Sequence, residues 1–496
     1  MNLFETMDSL LRDWNEVFAQ ERTTVRVRPL TYGLLLTPPK HTTSAAICAI
    51  GRQFDDWSAD YRVFSRSPWD PQTLFDPVID HSISLLPPFP APIIGAMDDT
   101  ACKKSGRHIP GVATVRDPQS PPYHVNLIRG LRFVQASLMI APPDGNGPAR
   151  SLPVRFQPAP PVAKPKKNAL EQEWEEYRKR KKTHVLTQIG LSTVINLRDA
   201  LDQRPDTLLR QFLISVDGSY TNQVLLKALP PRTTLIGRIR QDADLRLPLD
   251  SNAKTNGRPR KYGLKAPTPK EILSNDEIPF QEVPCFAVGQ IRNFKVKTFG
   301  PLFWSKAGPD KPLLLVVIKP VGYRLRKGSK LLYREPAFLI CTDPKLDLKT
   351  LVQAYVYRWE IEVNHHDEKS IIGVAQAQTR NPQAVYRQPQ LQVAAYSLLL
   401  LASILAHGFE RTDAYLPLPR WRDRSPRPST ADLLNLLRQQ ILGHTFSADH
   451  PIPFDHFDES EGLDPKWQKV LDSLIEQPSR SELTRSEVFS PAPRPS

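Results

Sequence analysis

The spacing of apolar residues divides the chain into helical and strand-forming regions. Residues 1 to about 85 have apolar positions at helical spacing, and a small-residue segment there breaks at Gly51. Two short helices around such a turn resemble a helix-turn-helix, and a helical cap without a DNA-binding role is the equal alternative. From Pro90 the pattern changes, and short apolar runs predict strands over residues 91–97 and 132–141.

The middle of the chain alternates between helix and strand. In residues 163–186, four glutamates precede a basic cluster at 178–182, an order that suits a helix dipole. We interpret this segment as a solvated helix, with DNA contact as the alternative. A helix over 193–201 is followed by a strand, turn and helix over 212–230, and by a strand over 233–240.

The last half of the chain adds a strand-rich region and then helices. Residues 245–345 are Pro-rich and basic, but their apolar runs are long enough to be buried, which predicts a β-rich insertion. Helix returns from about 350. The most apolar run, 393–406, is shorter than the roughly twenty residues that a bilayer requires and contains Tyr and Ser, so we predict a buried helix and no membrane partner. A helix at 429–442 precedes a tail whose last thirty or so residues are expected to be disordered.

Composition narrows the partner and the compartment. The formal net charge of +14 favours a polyanion, nucleic acid first, because clustered Lys and Arg gain free energy by releasing phosphate counterions. The four cysteines are more than fifty positions apart and form no CxxC pair, so a zinc site is not expected. We expect a reduced, cytoplasmic protein. The N-terminus lacks the basic start and apolar run of a signal peptide.

Acidic residues stand at three places where a strand or helix would present them. Asp98 and Asp99 close the first predicted strand, and Asp217 ends the strand at 212–216. Asp217-Gly218 is also a common hairpin pair, but the helix that follows argues for the carboxyl end of a strand in an α/β sheet, where ligands usually bind. The third place is Glu362, within the stretch YVYRWEIEVNHHDEK at 355–369.

The stretch around Glu362 has several possible meanings. On one continuous helix, Tyr355, Glu362 and Lys369 fall within about 40° of one another, and Arg358 lies about 60° away. An ordinary surface ion pair between Arg358 and Glu362 is the plain alternative. A metal site at the adjacent histidines, 365 and 366, is disfavoured because the second Glu-x-x-His helix that a di-iron site needs is missing from the sequence.

Three separate carboxylates suit two-metal phosphoryl transfer. Two divalent cations about 3.5 to 4 Å apart would activate the attacking oxygen and stabilise the leaving oxygen. Hard cations such as Mg²⁺ prefer the oxygen ligands that two aspartates and a glutamate supply.

The spacing Tyr355-x2-Arg358-x3-Glu362-x6-Lys369 resembles the Tyr-Arg-Glu-Lys signature of bacterial insertion-sequence DDE transposases, the group with a β insertion before the glutamate. The segments AMDDTACKKSG, VDGSYTNQVLLKAL and LLYREPAFLICTD resemble its other motifs, so that the resemblance covers roughly residues 90–410. It implies an α/β fold with an RNase H-like catalytic core interrupted by a mostly β insertion, a helical N-terminal DNA-binding domain and a helical C-terminal region.

The expected segments are 1–88 for the N-terminal domain, 89–244 for the first part of the core, 245–345 for the insertion, 346–410 for the core helices with the glutamate, and 411–496 for a C-terminal helix and a basic, Pro-rich tail.

The resemblance also implies the residues of the site. It makes Asp99, Asp217 and Glu362 the catalytic metal ligands, with Asp98 as the alternative first aspartate, because alternate residues of a strand point to opposite faces and only one of the pair can easily face the metal. The residues expected to hold DNA phosphates are Tyr355, Arg358, Lys369, Lys103, Lys104 and Arg238. Trp304 is a candidate for stacking on a flipped base, with burial in the core as its alternative.

The implied activity is that of a DNA transposase. It would bind the terminal inverted repeats of an insertion sequence, cleave the strands and join 3′ ends to target DNA, using two Mg²⁺ ions or Mn²⁺ as a substitute. The implied partners are double-stranded DNA and a second copy of the chain in a synaptic complex, in the bacterial cytoplasm at the nucleoid. The alternative is a domesticated, catalytically inactive DNA-binding protein derived from a transposase.

Overall fold

The computed structural model describes residues 1–37, 40–117, 126–143, 145, 147–249, 260–324, 328–421 and 427–445. The chain divides into two compact units. The first consists of Met1–Pro77, Lys104–Pro110 and His366–Ser496, and the second of Val78–Lys103 and Gly111–His365. The disordered tail expected at the C-terminus lies outside the described residues.

The described residues form helices in both units. In chain order they are α1 Leu3–Arg12, α2 Glu21–Leu36, α3 Thr43–Ala49, α4 Trp57–Ser65, α5 Asp76–Ser82, α6 Glu171–Thr183, α7 Leu186–Asp202, α8 Pro205–Leu208, α9 Gln223–Ala228, α10 Pro269–Ser274, α11 Leu348–Tyr357, α12 Trp359–Ser370, α13 Ala384–His407 and α14 Thr430–Thr445. The first 85 residues contain helices and no described strand, as their periodicity predicts.

The second unit is built on a mixed ten-stranded sheet. Its strands are β1 Ile93–Lys103, β2 Ala113–Arg116, β3 Leu127–Ile140, β4 Arg150–Pro158, β5 Phe212–Val216, β6 Thr233–Arg238, β7 Gln281–Ala287, β8 Gln290–Trp304, β9 Gly308–Ile318 and β12 Ala337–Cys341, while β10 Gly322–Tyr323 and β11 Leu332–Tyr333 pair separately. The order is β2-β3-β1-β5-β6-β12-β9-β8-β7, with β4 also paired to β3. Strands β1, β5 and β6 are parallel, and the other pairs in this sheet are antiparallel. The mixed α/β fold class expected from the sequence is therefore confirmed.

Strand β5 occupies the centre of this sheet. All five of its residues are buried, and it reads as one apolar run, FLISV, because a parallel strand is covered on both faces. The chain then returns through α9 to β6 in parallel register. The Asp217-Gly218 pair is therefore a strand-to-helix turn, and the hairpin alternative is wrong.

The two faces of the sheet meet different helices. On one face Ala96 packs in a cluster with Tyr357 of α11, and the Ser215 hydroxyl of β5 donates to the Ala354 carbonyl at 3.1 Å. On the other face lies α7: a Cβ placed on Gly190 would be 2.6 Å from the Tyr220 ring and 3.3 Å from Met97 Cε. Glycine at position 190 thus allows α7 to lie close to the sheet.

Two elements differ from the sequence expectation. Strand β1 continues to Lys103 because β3 pairs with it along this whole length, so the two aspartates lie inside the strand. The single helix expected over 355–369 is two helices, since the chain turns at Arg358, where the amide donates to the Tyr355 carbonyl at 3.2 Å. The backbone of Arg358 still has helical angles, φ −52° and ψ −30°, and the common helical face of Tyr355, Glu362 and Lys369 stays a prediction.

The core of the first unit includes α13. This helix is long and apolar enough to cross a bilayer, but 89% of its most apolar window is buried inside the protein. A helix that is apolar on all sides can be the central helix of a folded unit, and here its buried residues include Tyr396, Leu399 and Leu400. The prediction of a buried helix at 393–406 is confirmed.

Candidate active site

Two aspartates occupy neighbouring positions where β5 ends and β1 continues. Met97 of β1 pairs with Val216 of β5 in parallel register. Asp98 directly follows Met97, and Asp217 directly follows Val216. Asp98 follows Ala96 by two residues and Asp217 follows Ser215 by two, so that both side chains point to the face of the sheet that α11 covers.

A guanidinium connects the first of these aspartates to Glu362. Arg358, at the turn between α11 and α12, donates through Nη1 to Asp98 Oδ2 at 3.3 Å and through Nη2 to Glu362 Oε1 at 2.8 Å. Its side chain is only 15% exposed. The ion pair between Arg358 and Glu362 suggested by the sequence is present, but it is part of a larger group.

The charges in this group shift two pKa values. Burial and, to a smaller extent, the nearby Asp217 carboxylate raise the pKa of Asp98 to about 7, although Arg358 opposes both effects. Burial lowers the pKa of Arg358, but the charges of Glu362 and Asp98 outweigh this, so the pKa is raised overall. In the absence of a bound cation, Asp98 therefore carries a proton for much of the time near neutral pH.

The carboxylate of Asp217 also shapes its own turn. Its Oδ1 accepts from the amides of Ser219 at 2.9 Å and Tyr220 at 3.3 Å, and its Oδ2 accepts from the Ser219 hydroxyl at 3.1 Å. Asn222 then caps α9 by accepting from the amides of Val224 and Leu225. The turn holds Asp217 in place, and Oδ2, which accepts only one of these hydrogen bonds, keeps a further lone pair for a ligand.

The neighbouring aspartate, Asp99, points to the opposite face. It accepts from Arg132 Nε at 2.7 Å and from the Tyr220 hydroxyl at 3.1 Å. Burial, together with the charges of Asp99 and Asp98, raises the pKa of Tyr220, so its phenol stays protonated and donates. Asp99 lies with Met97 on the α7 side, away from Arg358 and Glu362.

Unsatisfied polar atoms lie beside Asp98. Gln135 is the direct cross-strand neighbour of Asp98, is fully buried, and its Oε1 has no hydrogen-bond partner among the described residues. Thr100, two positions along β1 on the same face, has a buried hydroxyl that also lacks one in the described part of the chain. Buried polar atoms of this kind suit a site that binds water or a polar ligand.

The carboxylates fit a hard divalent cation. Asp98, Asp217 and Glu362 carry carboxylate oxygens, the donors that Mg²⁺ prefers, and these residues would hold the ion. Within the described ranges no three His, Cys, Asp or Glu side chains already converge into a metal-binding group.

The other residues expected to contact DNA lie in different surroundings. Tyr355 is half-buried against the core of the second unit. It lies close enough to Arg358 to raise the pKa of the Arg358 guanidinium. Arg238 is exposed at the end of β6, and its carbonyl is 3.6 Å from a Cβ placed on Gly218, beside the Asp217 turn. Lys103 is 71% exposed and pairs with Asp117 at 3.7 Å.

The three remaining residues expected to contact DNA are Lys104, Lys369 and Trp304, and the role of Lys369 stays a prediction. Lys104 belongs to the first unit, where its buried ammonium donates to the carbonyls of Ala375 and Ala377. Lys369 also belongs to the first unit. Trp304 is 6% exposed at the end of β8, with Lys306 Nζ 4.6 Å from its ring centroid, which agrees with the core alternative.

Sequence reasoning missed three residues of this site. Gln135, Arg132 and Tyr220 are ordinary members of apolar or mixed segments, and their roles depend on the pairing of β1 with β3 and on the turn after β5. Only Tyr220 had a usable signal, its position three residues after Asp217. Of the two adjacent histidines, His365 is 8% exposed, and His366 is exposed and bonds to Asp367 at 3.0 Å.

The order of the sheet is compatible with an RNase H-like nuclease fold of the DDE type: β1 is flanked by antiparallel β3 on one side and parallel β5 on the other. The model of the DDE superfamily endonuclease family matches residues 17–282, more than half of the chain. The protein therefore belongs to this family. The match includes both aspartate positions and ends before Glu362. No curated protein matches the chain significantly.

Family membership supports the general function. It indicates a transposase-like nuclease, with DNA as the partner and a divalent metal ion, typically Mg²⁺, as the cofactor. A DNA-acting enzyme of this kind is suggested to work in the cytoplasm.

Proposed function

We propose that the protein is a metal-dependent DNA transposase of the Tyr-Arg-Glu-Lys group, and that Asp98, Asp217 and Glu362 are its catalytic carboxylates. The observation that carries the proposal is the contact of Arg358 with both Asp98 and Glu362, beside Asp217 at the end of β5. The proposal replaces Asp99 by Asp98 as the first aspartate, because Asp99 is bonded to Arg132 and Tyr220 on the other face of the sheet.

The residues of the site have complementary roles in this proposal. The three carboxylates would hold the divalent cations, which supply Lewis-acid activation of the attacking oxygen and stabilisation of the leaving oxygen. Asp217 is fixed by its own turn, so its carboxylate is oriented before any ligand arrives. Asp98 must lose its proton to serve as a ligand, since a metal-bound carboxylate is ionised.

Arg358 has two roles in this scheme. It neutralises Asp98 and Glu362 while these carboxylates lack a cation, which lowers their mutual repulsion. Its planar fork can also bind a DNA phosphate through two parallel hydrogen bonds. Tyr355 and the exposed Arg238 flank the same end of the sheet and would contact neighbouring phosphates.

The substrate and products follow from the resemblance. The enzyme would recognise the inverted repeats that bound its own element, cut the 3′ strands, and join them to target DNA as a homodimer in a synaptic complex at the nucleoid. Its implied ions are two Mg²⁺, with Mn²⁺ as a substitute.

Cleavage of the flanking DNA tests the proposal. A supercoiled plasmid that carries the gene with its native flanks is incubated with purified protein and Mg²⁺, and nicking is followed as conversion to open circles. Asp98→Asn, Asp217→Asn and Glu362→Gln should each lower the nicking rate by at least about a thousandfold, because each removes a ligand that acts with the other two.

Asp242→Asn is the matched control, since Asp242 is an exposed carboxylate of the same unit that pairs with Arg240. It should nick at the wild-type rate. Unchanged nicking by Asp217→Asn would refute the assignment of the site. DNA binding by the wild type without cleavage in any divalent ion would instead support the alternative, an inactive DNA-binding descendant.

A further inference from the structure

Helix α6 has no place in the core of its unit. None of its thirteen residues is buried, although it lies in the chain between β4 and α7, both of which pack in that unit. A helix of this length is marginal in water by itself, and a polar helix without a partner gains little from packing. Some other contact is therefore expected to use its surface.

One face of α6 carries an aromatic and basic stripe. Leu170, Trp174, Tyr177 and Lys181 follow at the spacing i, i+4, i+7 and i+11, which places them within about 60° of one another. Three glutamates of the helix, at 171, 175 and 176, point in other directions by the same geometry, whereas Glu173 borders the stripe, where its side chain accepts from the Leu170 amide at 3.0 Å. We call these four residues, together with Lys164, the Trp174 stripe.

Lysines lie over both aromatic rings of the Trp174 stripe. Lys164 Nζ is 5.7 Å from the Trp174 ring centroid, and Lys181 Nζ is 5.8 Å from that of Tyr177. Arg178, in contrast, is neutralised by an ion pair with Glu171. The stripe therefore presents two cations beside two flat apolar surfaces.

We propose that the Trp174 stripe is a DNA-contact surface. Lys164 and Lys181 would bind backbone phosphates, while the rings of Trp174 and Tyr177 would pack on sugars or unstacked bases. Charge complementarity selects this occupant: residues 163–184 contain eight Lys or Arg against four Glu, and three of these glutamates point away from the stripe. The choice of DNA as the polyanion rests on the proposed function, but no catalytic residue is involved.

Salt-dependent binding provides the test. The full chain is titrated with a fluorescein-labelled DNA duplex of mixed sequence, without divalent ions, at several salt concentrations. Each lysine that contacts a phosphate contributes about 0.9 to the slope of log affinity against log salt. The variant Lys164→Gln/Lys181→Gln should therefore lose about 2 from the slope. Trp174→Ala should weaken binding at every salt concentration without changing the slope.

A matched variant separates this surface from the general charge of the helix. Lys179→Gln/Lys182→Gln removes the same charge from exposed lysines off the stripe, and its slope should equal that of the wild type. Hydrogen exchange should show new protection of the amides of residues 170–181 when DNA is added. Since α6 buries no residue, all these variants should fold, which circular dichroism verifies.

The outcomes distinguish this inference from the proposed function. Equal slopes for the two double variants, or no new protection at 170–181, would overturn the DNA-contact surface while leaving nicking by the wild type intact. If Lys164→Gln/Lys181→Gln lost binding to anionic phospholipid vesicles while its DNA binding stayed unchanged, the stripe would be a membrane-binding surface. This result would also overturn the DNA-contact surface. A wild-type chain that binds no DNA would overturn both proposals.

Discussion

Two adjacent aspartates have different partners because successive strand residues face opposite sides of a sheet. Asp98 faces Arg358 and Glu362, whereas Asp99 is held by Arg132 and Tyr220. Tyr220 in turn donates its amide to Asp217. In our interpretation Asp99 is thus a positioning residue, which links the Asp217 turn to β1 without touching the substrate.

Amide substitutions of the two aspartates should therefore have opposite effects. Asp99→Asn removes a charge-assisted hydrogen bond and should lower the free energy of unfolding by about 1 to 3 kcal/mol, while nicking remains measurable. Asp98→Asn should abolish nicking without loss of stability at pH 8. Denaturant unfolding in EDTA and the plasmid assay measure the two effects. If Asp99→Asn abolished nicking with unchanged stability, Asp99 would be the metal ligand that the sequence first indicated.

The raised pKa of Asp98 predicts a pH dependence of stability for the metal-free protein. Its pKa is raised from 3.8 to about 7, so between these values the native state holds a proton that the unfolded chain has released. The resulting stabilisation is present below about pH 4 and is lost as the pH rises through 7. Relative to Asp98→Asn, the wild type should lose up to about 4 kcal/mol across this range, at ~1.4 kcal/mol per pKa unit. Unfolding curves of both proteins in EDTA check this, and a constant difference would contradict it.

At the scale of elements, the site depends on how closely α7 and the Asp217 turn approach the sheet. Gly190 allows the Tyr220 ring to lie against α7. The sequence predicted the elements themselves, since the strand, turn and helix around Asp217 follow from local pattern. It could not predict the length of β1 or the contact of Arg358 with Asp98, because both depend on neighbours that are distant in sequence.

Substitution of Gly190 tests this packing. In an ordinary helix Gly→Ala stabilises by about 1 kcal/mol. Gly190→Ala should instead destabilise by about 1 to 3 kcal/mol, because the new Cβ would meet the buried Tyr220 ring at 2.6 Å. In the background of Tyr220→Leu the cost should shrink, as a double-mutant cycle of unfolding free energies would show. If the two substitutions changed the free energy of unfolding additively, the destabilisation by Gly190→Ala would not come from contact with the Tyr220 ring.

At the scale of the whole molecule, the burial of the four cysteines can be compared with the fold of each unit. None of the four, all of which lie within the described residues, forms a disulfide; Cys102, Cys285 and Cys341 are buried, and Cys48 is exposed. Burial raises the pKa of Cys285 and of Cys341 to about 12, so their reactive thiolate forms are scarce at neutral pH. The reduced state expected from the cysteine spacing is compatible with this arrangement.

Thiol labelling checks this distribution. A brief treatment of the native protein with iodoacetamide should modify Cys48 alone, and treatment in denaturant should modify all four, as peptide mass spectrometry would show. Rapid native modification of Cys285 or Cys341 would mean that the sheet or α11 opens more readily than the burial of these thiols indicates.

The sequence by itself determined the mixed α/β class, the buried helix α13, the strand-turn-helix at Asp217 and the positive charge, because each depends on local periodicity or composition. The spacing of Tyr355, Arg358, Glu362 and Lys369 resembles a transposase signature, and the assignment to that group stays a prediction. Only the tertiary structure decided which aspartate meets Arg358, since the direction of a strand side chain is fixed by the pairing of β1 with β3 and β5. It likewise placed Lys104 and Lys369 in the other unit, because sequence spacing carries no information about which unit a residue joins.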